Sequence, residues 1–546
     1  MAPARTQPTA PPRIFPPVLG LEVPAVFDEL FANAIVMLSN VKPLEGPDRV
    51  PRALLAGIPW GASTPGAIAA GCARYPSAAA VIDEHGSLTF RDLWRSSDEL
   101  AWELLESGIG RDRRVGLLAR NHRGFVQTLL AVAKTGADLV LLNPEFAAPQ
   151  LVDVVVSERL DRVLHDRDCA AAAAACEVAS CLDDRLAASA RDARRSVRPP
   201  SRPGRMIILT SGTTGRPKGA THRGDGSAQG VAATVGRIPF RPGDIQVVAA
   251  PLFHGWGLTN LLLALARSST TVLMRVFDAA QTLDTVSRQG ADVLVVVPVM
   301  LQRILALGPQ ALVDADTTRL RVIASSGSAL GGKLVGETLD RIGPVLYNVY
   351  GSTEVTVAAI ATPFDLRRNA ACAGSPVLGA RVEVVDDQGK PVAPGSIGRV
   401  FVGTATRFEG YTNGGGKEER DGLLSSGDLG HFDPSGLLVI DGREDDMIVS
   451  GGENVYPAKV EELLTRHPGI AQVAVVGVPD PDFGQGLAAF VVAREGRELT
   501  VEDVKRHVHR NLARFKVPRR VEFLTELPRT TTGKVLKREF VQACLD

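Results

Sequence analysis

Short apolar runs of strand length recur along this chain, each separated from the next by a stretch of helix length. Arg114-Val115-Gly116-Leu117-Leu118 precedes a helical pattern from Phe125 to Ala133, and Ala137-Asp138-Leu139-Val140-Leu141-Leu142 follows it. The alternation continues at Met206 to Leu209, Gln246 to Ala249, Thr271 to Met274, Val293 to Val297 and Arg321 to Ala324. A strand that is apolar on both faces must be covered on both, which helical crossovers between parallel strands achieve. The pattern therefore restricts this part of the chain to layered α/β architecture with parallel sheets.

With 546 residues the chain exceeds one domain several times over. Near residue 380 the pattern changes. Arg381 to Val385, the turn Asp386-Asp387-Gln388-Gly389 and Arg399 to Val402 predict β-hairpins. Beyond Arg443-Glu444-Asp445-Asp446 come strand patterns at Gln472 to Val476 and Ala488 to Val492. Val501, Val504, Val508, Leu512 and Phe515 then recur at helical spacing, with Pro518 as the expected stop. These shifts predict an irregular lead-in over 1–60, a large domain over 61–442 made of α/β subdomains and a β-rich one, a connection at 443–446, and a small α+β domain over 447–546. The alanine run Ala170 to Ala175 predicts a surface helix.

Composition excludes several classes. The 61 Lys+Arg are matched by 61 Asp+Glu, so the basic excess of a nucleic-acid-binding protein is missing. The Pro-rich start lacks the apolar core of a secretory signal. No run approaches the ~18–20 uninterrupted apolar residues of a spanning helix. The six cysteines are scattered with no CxxC pair, which disfavours a disulfide framework or a zinc site and suits a cytoplasmic protein. Phe31 to Leu38 leaves two readings open, a packed helix or a peripheral membrane contact.

The segment richest in chemistry is Thr210-Ser211-Gly212-Thr213-Thr214-Gly215-Arg216-Pro217-Lys218-Gly219, directly after a predicted strand. Gly212 and Gly215 permit tight turns that turn backbone N–H groups toward an anion, the hydroxyls add donors, and Lys218 adds a charge. A helix is expected to begin soon after, adding the positive end of its dipole. The spacing differs from the GxxxxGK[ST] of P-loop NTPases, so their mechanism does not transfer.

This loop resembles the signature of the adenylate-forming superfamily, which includes acyl- and aryl-CoA synthetases, and further segments match in order. The loop's Thr210, Ser211, Gly212, Thr213, Thr214, Gly215 and Lys218 are implied to bind ATP. Pro251-Leu252-Phe253-His254-Gly255-Trp256-Gly257 is similar to the segment whose histidine lies beside the substrate carboxylate. His254 is thereby implied in catalysis and acyl binding, and Trp256 in lining the acyl tunnel, with a plain core tryptophan as the other reading. Ser325 to Leu330 is similar to the wall of the acyl pocket and the floor under adenine, which assigns Gly327 to the acyl group and Ser328 to the nucleotide.

Tyr347-Asn348-Val349-Tyr350-Gly351-Ser352-Thr353-Glu354 resembles the xGYGxTE motif, with Val349 at a position usually held by a small residue. The resemblance implies that Asn348, Tyr350 and Gly351 bind ATP, Tyr350 by stacking on adenine. It also implies that Thr353 bonds the α-phosphate and Glu354 holds Mg²⁺, a hard cation that takes one or two carboxylates plus phosphate oxygens. Ser426-Gly427-Asp428 stands in place of a TGD motif whose Asp accepts from the ribose hydroxyls. Asp441 to Pro457 is similar to the family's hinge region, which implies Arg443 in binding ribose or phosphate, Asp445 as the hinge, and Ser450, Gly451 and Gly452 in lining the CoA channel. Pro528 to Arg538 matches the segment whose lysine, here Lys534, drives adenylation.

The implied enzyme is an AMP-forming acyl-CoA synthetase with a small, mobile C-terminal domain. Its substrates would be ATP with Mg²⁺, coenzyme A and a carboxylic acid, with a medium- or long-chain fatty acid favoured and an aryl acid as the alternative. A ligase that loads a carrier-protein thiol is the competing enzymatic reading, and a silent nucleotide-binding protein the competing non-enzymatic one. Lys505 to Arg520 carries seven Lys/Arg and no acid, a solvated helix face or a contact for the CoA 3′-phosphate.

Overall fold

Two sheets with parallel cores form the body of the protein. The computed structural model describes residues 49–61, 63–182, 196–211, 217–222, 233–404, 408–450, 453–480, 484–530 and 533–545. Of the sequence features above, Phe31 to Leu38, Gly212 to Arg216 and Gly451-Gly452 lie outside these residues.

The smaller of the two runs in the order Phe408–Tyr411, Pro217–His222, Met206–Ser211, Asp138–Leu141, Arg114–Leu118, Arg162–His165, Ala179–Cys181. From Met206–Ser211 onward its neighbours are parallel, while the first three strands pair antiparallel. The larger sheet has a parallel core ordered Leu346–Ser352, Val322–Ser325, Val293–Val296, Ile245–Val248, Thr270–Leu273, Ala79–Asp83. Thr356–Ala361 and Cys372–Pro376 extend it antiparallel and join it to a β-meander of Leu438–Arg443, Leu423–Phe432, Gly398–Gly403 and Arg381–Val385.

The central strands Val293–Val296 and Val322–Ser325 are buried at every position, which is why they read as unbroken apolar runs. Helix Arg123–Thr135 shows the same logic in helical form. It is buried on nearly all sides, and its Phe125, Leu129 and Val132 belong to one core shared with residues of both sheets, so it is packed between them. His122 caps its start by accepting from the Gly124 N–H, and Gly136 ends it in the left-handed conformation (φ 79°).

The small domain is built on Glu453–Val455, Ile448–Ser450, Gly484–Ala493 and Ile470–Asp480, with Arg520–Phe523 parallel to Gly484–Ala493. Helix Lys537–Leu545 closes one face through Phe540, stacked on Phe490 at 4.3 Å between centroids. The protein is thus mixed α/β, with a large N-terminal and a small C-terminal domain.

Three local expectations change. The end of the lead-in is regular: Arg49–Gly57 is helical and leads into a 3₁₀ turn at Ile58–Trp60. The alanine run is helical only over Ala170–Ala173, and Ala173 is buried beside Cys169 and Cys176 rather than facing solvent alone. The helix begun at Val501 ends at Asn511, because Leu512 turns extended (φ −134°) well before Pro518. The phosphate loop leads into strand Pro217–His222, and residues 223–232, where the expected helix would begin, lie outside the described residues. All six cysteines are free, and burial lifts the Cys72 and Cys169 thiols to about 12. Among the described residues no helix is long and apolar enough to cross a membrane.

Candidate active site

The parallel strands of the larger sheet end along one edge, and in open α/β sheets that edge faces the ligand crevice. There Val293–Val296 runs into Val297, Val322–Ser325 into Ser326-Gly327, and Ile245–Val248 toward Pro251 to His254. Strand Leu346–Ser352 turns back antiparallel into Thr356–Ala361, and Thr353 and Glu354 occupy the turn.

Glu354 is buried, yet both carboxylate oxygens are served. Tyr411 Oη donates to Oε1 at 2.8 Å and Ser352 Oγ to Oε2 at 2.8 Å. Burial pushes its pKa up, but these hydroxyls, the backbone and Lys417 outweigh burial and hold it below the ordinary carboxylate value. An ionised carboxylate with oxygen lone pairs to spare fits a hard cation shared with phosphate oxygens. Among the described residues no cluster of three or more His, Cys, Asp or Glu could hold a metal by itself.

Asp428 and Arg443 face each other because Leu423–Phe432 and Leu438–Arg443 pair with these two residues in register. Arg443 Nη1 donates to Asp428 Oδ1 at 3.0 Å, and Tyr350 Oη donates to Oδ2 at 2.6 Å. Arg443 Nε also donates to Asp445 Oδ1 at 3.1 Å. Burial pushes the Tyr350 hydroxyl well above its ordinary pKa and Asp428 adds to that, so the hydroxyl stays a donor. Against the cost of burial, Asp428 and Asp445 raise the Arg443 pKa.

Lys534 reaches this group from the small domain. Its loop closes through Thr530 N–H donating to Lys534 O (2.7 Å) and Gly533 N–H to Thr530 O (2.8 Å). Gly533 has φ 79°, and a Cβ there would lie 2.3 Å from Val299 Cγ1 of the large domain, so glycine is needed for both conformation and space. The residue as a whole is exposed. Its pKa is lowered by the surrounding protein and by Arg443, with Asp428 and Glu354 pulling the other way. Lys459 Nζ to Asp441 Oδ1 (3.0 Å) and Lys333 Nζ to Thr465 O (3.3 Å) hold the small domain in this position.

Near Lys534 stands His254, at the start of helix Gly255–Ala266. Its Nε2 is buried with no hydrogen-bond partner among the described residues. Burial, reinforced by the nearby Lys534 charge, lowers the imidazole pKa to about 4, so it is neutral at pH 7. Trp256 is half-buried, and its Nε1 donates to Val296 O at 3.0 Å, so it packs on the core while its ring is fixed beside the strand end. Gly327, at φ 96°, leaves room beside Val297 Cγ1, which a Cβ would meet at 3.4 Å.

The structure thus brings Tyr350, Glu354, Asp428, Arg443, Lys534 and His254 together. Thr353 and Ser328 lie half-buried on the same edge, with exposed Gly351 beside them. Thr210 and Lys218 pair across adjacent strands, Thr210 Oγ1 donating to Lys218 O at 3.2 Å, and Ser211 ends the first strand. The remaining loop residues Gly212, Thr213, Thr214 and Gly215 lie outside the described residues. Asn348 spends its amide on Cys372 O at 3.1 Å. Ser450 is buried at the end of Ile448–Ser450, opposite Gly484.

Two contributors escaped the sequence reading. Tyr411 bonds Glu354, although nothing in Gly410-Tyr411-Thr412 marks a site. Asn121 is buried and acts like an extra β-bridge, with Nδ2 donating to Ala250 O (3.0 Å) and Oδ1 accepting from Leu252 N–H (2.8 Å), which clamps the segment leading to His254. Its only signal was a polar residue just past an apolar strand.

Similarity to known proteins spans most of the chain. The AMP-binding enzyme family matches residues 68–412, and the AMP-binding enzyme C-terminal domain matches residues 459–534. The chain is 33% identical to a fatty acid–[acyl-carrier-protein] ligase of Streptomyces coeruleorubidus, over 85% of this chain and 93% of the relative. It is 33% identical to an indoleacetate–CoA ligase of Aromatoleum aromaticum, over 86% of this chain and 95% of the relative. The ATP-bound crystal structure of MatB from Rhodopseudomonas palustris superposes with a TM-score of 0.76 at 27% identity, covering 86% of this chain and 96% of MatB.

Proposed function

Since the chain belongs to the family of AMP-binding enzymes, we propose that it joins an acid with an uncharged tail to AMP and passes the acyl group to coenzyme A. The observation that supports this reading is the place of Lys534, close to the Glu354–Asp428–Arg443 group and also to His254. A compact ammonium at that junction can touch both an incoming carboxylate and the α-phosphate.

In the first half-reaction a carboxylate oxygen attacks the α-phosphorus of ATP, the bond to the β-phosphate oxygen breaks, and pyrophosphate leaves. Asp428 accepts from the ribose hydroxyls, Tyr350 covers the adenine, and Lys218, Thr353 and the phosphate loop bind phosphate oxygens. Lys534 neutralises charge as it builds on the α-phosphoryl group. Mg²⁺, held by Glu354, would neutralise the phosphates when bound. In the second half-reaction the CoA thiolate attacks the acyl carbonyl and AMP leaves with the bonding pair. No protein nucleophile is needed, since AMP is already a good leaving group. Lys534 has finished by then, and rotation about Asp445 would withdraw it and bring Ser450, Gly451 and Gly452 to the thiol's path.

The uncharged tail is supported by a pocket edge of Val297, Trp256, Gly327 and a neutral His254, which offers no charge to a second carboxylate or an ammonium. The sequence alone favoured a medium- or long-chain fatty acid. The relatives act on a fatty acid in one case and an aryl acid in the other, and the fixed indole ring of Trp256 suits a flat ring equally well. A pyrophosphate-release screen over fatty acids of graded length, aryl acids, dicarboxylic acids and amino acids tests the reading. Release with fatty or aryl acids, and an acyl thioester only when CoA is added, is the expected result. Preference for a dicarboxylic or amino acid would overturn the substrate class, and transfer only to a carrier-protein thiol would overturn the acceptor.

A further inference from the structure

Tyr411 stands where separate parts of the molecule meet. Its strand, Phe408–Tyr411, leaves the chain between two strands of the larger sheet but pairs with Pro217–His222 in the smaller one, placing Tyr411 opposite Ala220. Thr412 N–H extends that pairing to Gly219 O at 2.9 Å, directly beside Lys218. The Tyr411 ring is held edge-on by Phe408, 5.1 Å between centroids, and the Lys218 ammonium stands 5.5 Å from the ring centre. From this fixed ring the hydroxyl reaches out of the smaller sheet to Glu354 Oε1 in the larger one, at 2.8 Å. The same strand end is tied down from behind, where Thr412 Oγ1 donates to Oε1 of the buried Glu158 at 2.6 Å.

We propose that Tyr411 is a positioning residue for the phosphate end of the nucleotide site, its hydroxyl fixing the Glu354 carboxylate and its ring face fixing Lys218. This rests on the reading of Glu354 and Lys218 given above. Glu354 projects from a turn, where a glutamate side chain samples several rotamers. Ser352 ends the strand that leads into that turn and belongs to the same hairpin, so it does not tie the carboxylate to the other sheet. Tyr411 comes from a different sheet and can. A single side chain thereby sets the distance between the metal-binding oxygen and the phosphate-binding ammonium, and the cation–π contact directs that ammonium without consuming a donor.

The roles separate by substitution. Tyr411→Phe keeps the ring and loses the hydroxyl, while Tyr411→Leu loses both. Mn²⁺ serves as the spectroscopic probe, titrated by electron paramagnetic resonance into the full-length enzyme with a non-hydrolysable ATP analogue. Tyr411→Phe is expected to weaken Mn²⁺ binding about tenfold, the size of one hydrogen bond to a charged group, with the metal-free affinity for the analogue preserved. Tyr411→Leu is expected to weaken both, and Glu354→Gln to weaken Mn²⁺ binding at least as much as Tyr411→Phe. In turnover, the Tyr411→Phe defect should shrink at saturating Mg²⁺ with the KM for the acid unmoved, which a merely structural defect would not do. If Glu354→Gln weakens Mn²⁺ binding and Tyr411→Phe does not, this inference falls alone. If Glu354→Gln has no effect, the metal role of Glu354 falls and the inference with it.

Discussion

The two halves of the crevice are finished to different degrees. On the proposed nucleotide side Glu354, Asp428 and Arg443 each hold protein partners at hydrogen-bond distance, the Asp428–Arg443 pair set by strand register. On the acyl side His254 keeps a buried Nε2 without a partner among the described residues, and the pocket is shaped by backbone anchors: Trp256 on Val296, Asn121 on Ala250 and Leu252, and the absent side chain of Gly327. A side that always meets the same ligand gains from fixed, charge-assisted geometry. A side that selects among acids needs only a rigid apolar outline and one polar atom left for the ligand. In the proposed function, catalysis falls to the first half and specificity to the second, with Lys534 close to both.

The largest effect should come from the group at the boundary. Lys534→Ala is expected to slow acid-dependent pyrophosphate exchange by about 10²–10³-fold or more, the range for removing a preorganised charge-stabilising donor. Single-turnover thioester formation from preformed acyl adenylate should be nearly unchanged. Equal loss in both half-reactions would erase the boundary role.

Next, Asp428→Asn removes the charge facing Arg443 and an acceptor for Tyr350, and should raise the KM for ATP about 10–100-fold. The KM for the acid should stay in place, and a parallel rise in both would merge the two halves.

A smaller and opposite split is expected for Asn121→Ala, which unclamps the segment before His254. The KM for the acid should rise several-fold, roughly the worth of one or two buried hydrogen bonds, while ATP affinity holds.

The smallest effect concerns pH. His254 is held near a pKa of about 4 against an ordinary 6.5, so it should give no inflection in kcat/KM near neutrality. Because the unfolded chain takes up this proton more readily, His254 makes the fold lose stability as the pH falls from about 6.5 towards about 4. His254→Gln should remove that share of the acid sensitivity in thermal unfolding.

The same contrast decides what was legible in the sequence. The central strands were readable because burial on both faces forces unbroken apolar runs, as at Val293–Val296. The segment from Tyr350 to Glu354 stood out through its resemblance to a family motif, and the structure places it at the turn between Leu346–Ser352 and Thr356–Ala361. Tyr411 was invisible because its partnership crosses two sheets, and sequence spacing carries no trace of such a contact. Asn121 was invisible because its role, completing a backbone bridge, could fall to any buried amide at that point in space. Strand Pro217–His222 after the phosphate loop was not legible, because Gly/Thr-rich anion loops serve strand–strand turns as well as strand–helix ones, and only tertiary pairing separates them.

The most direct test of the account is exchange of radiolabelled pyrophosphate into ATP by the full-length enzyme with Mg²⁺, with and without an organic acid. Exchange that requires a fatty or aryl acid and is lost in Lys534→Ala is the predicted result. Absence of exchange with every acid class supplied, from an enzyme that still binds ATP, would contradict it.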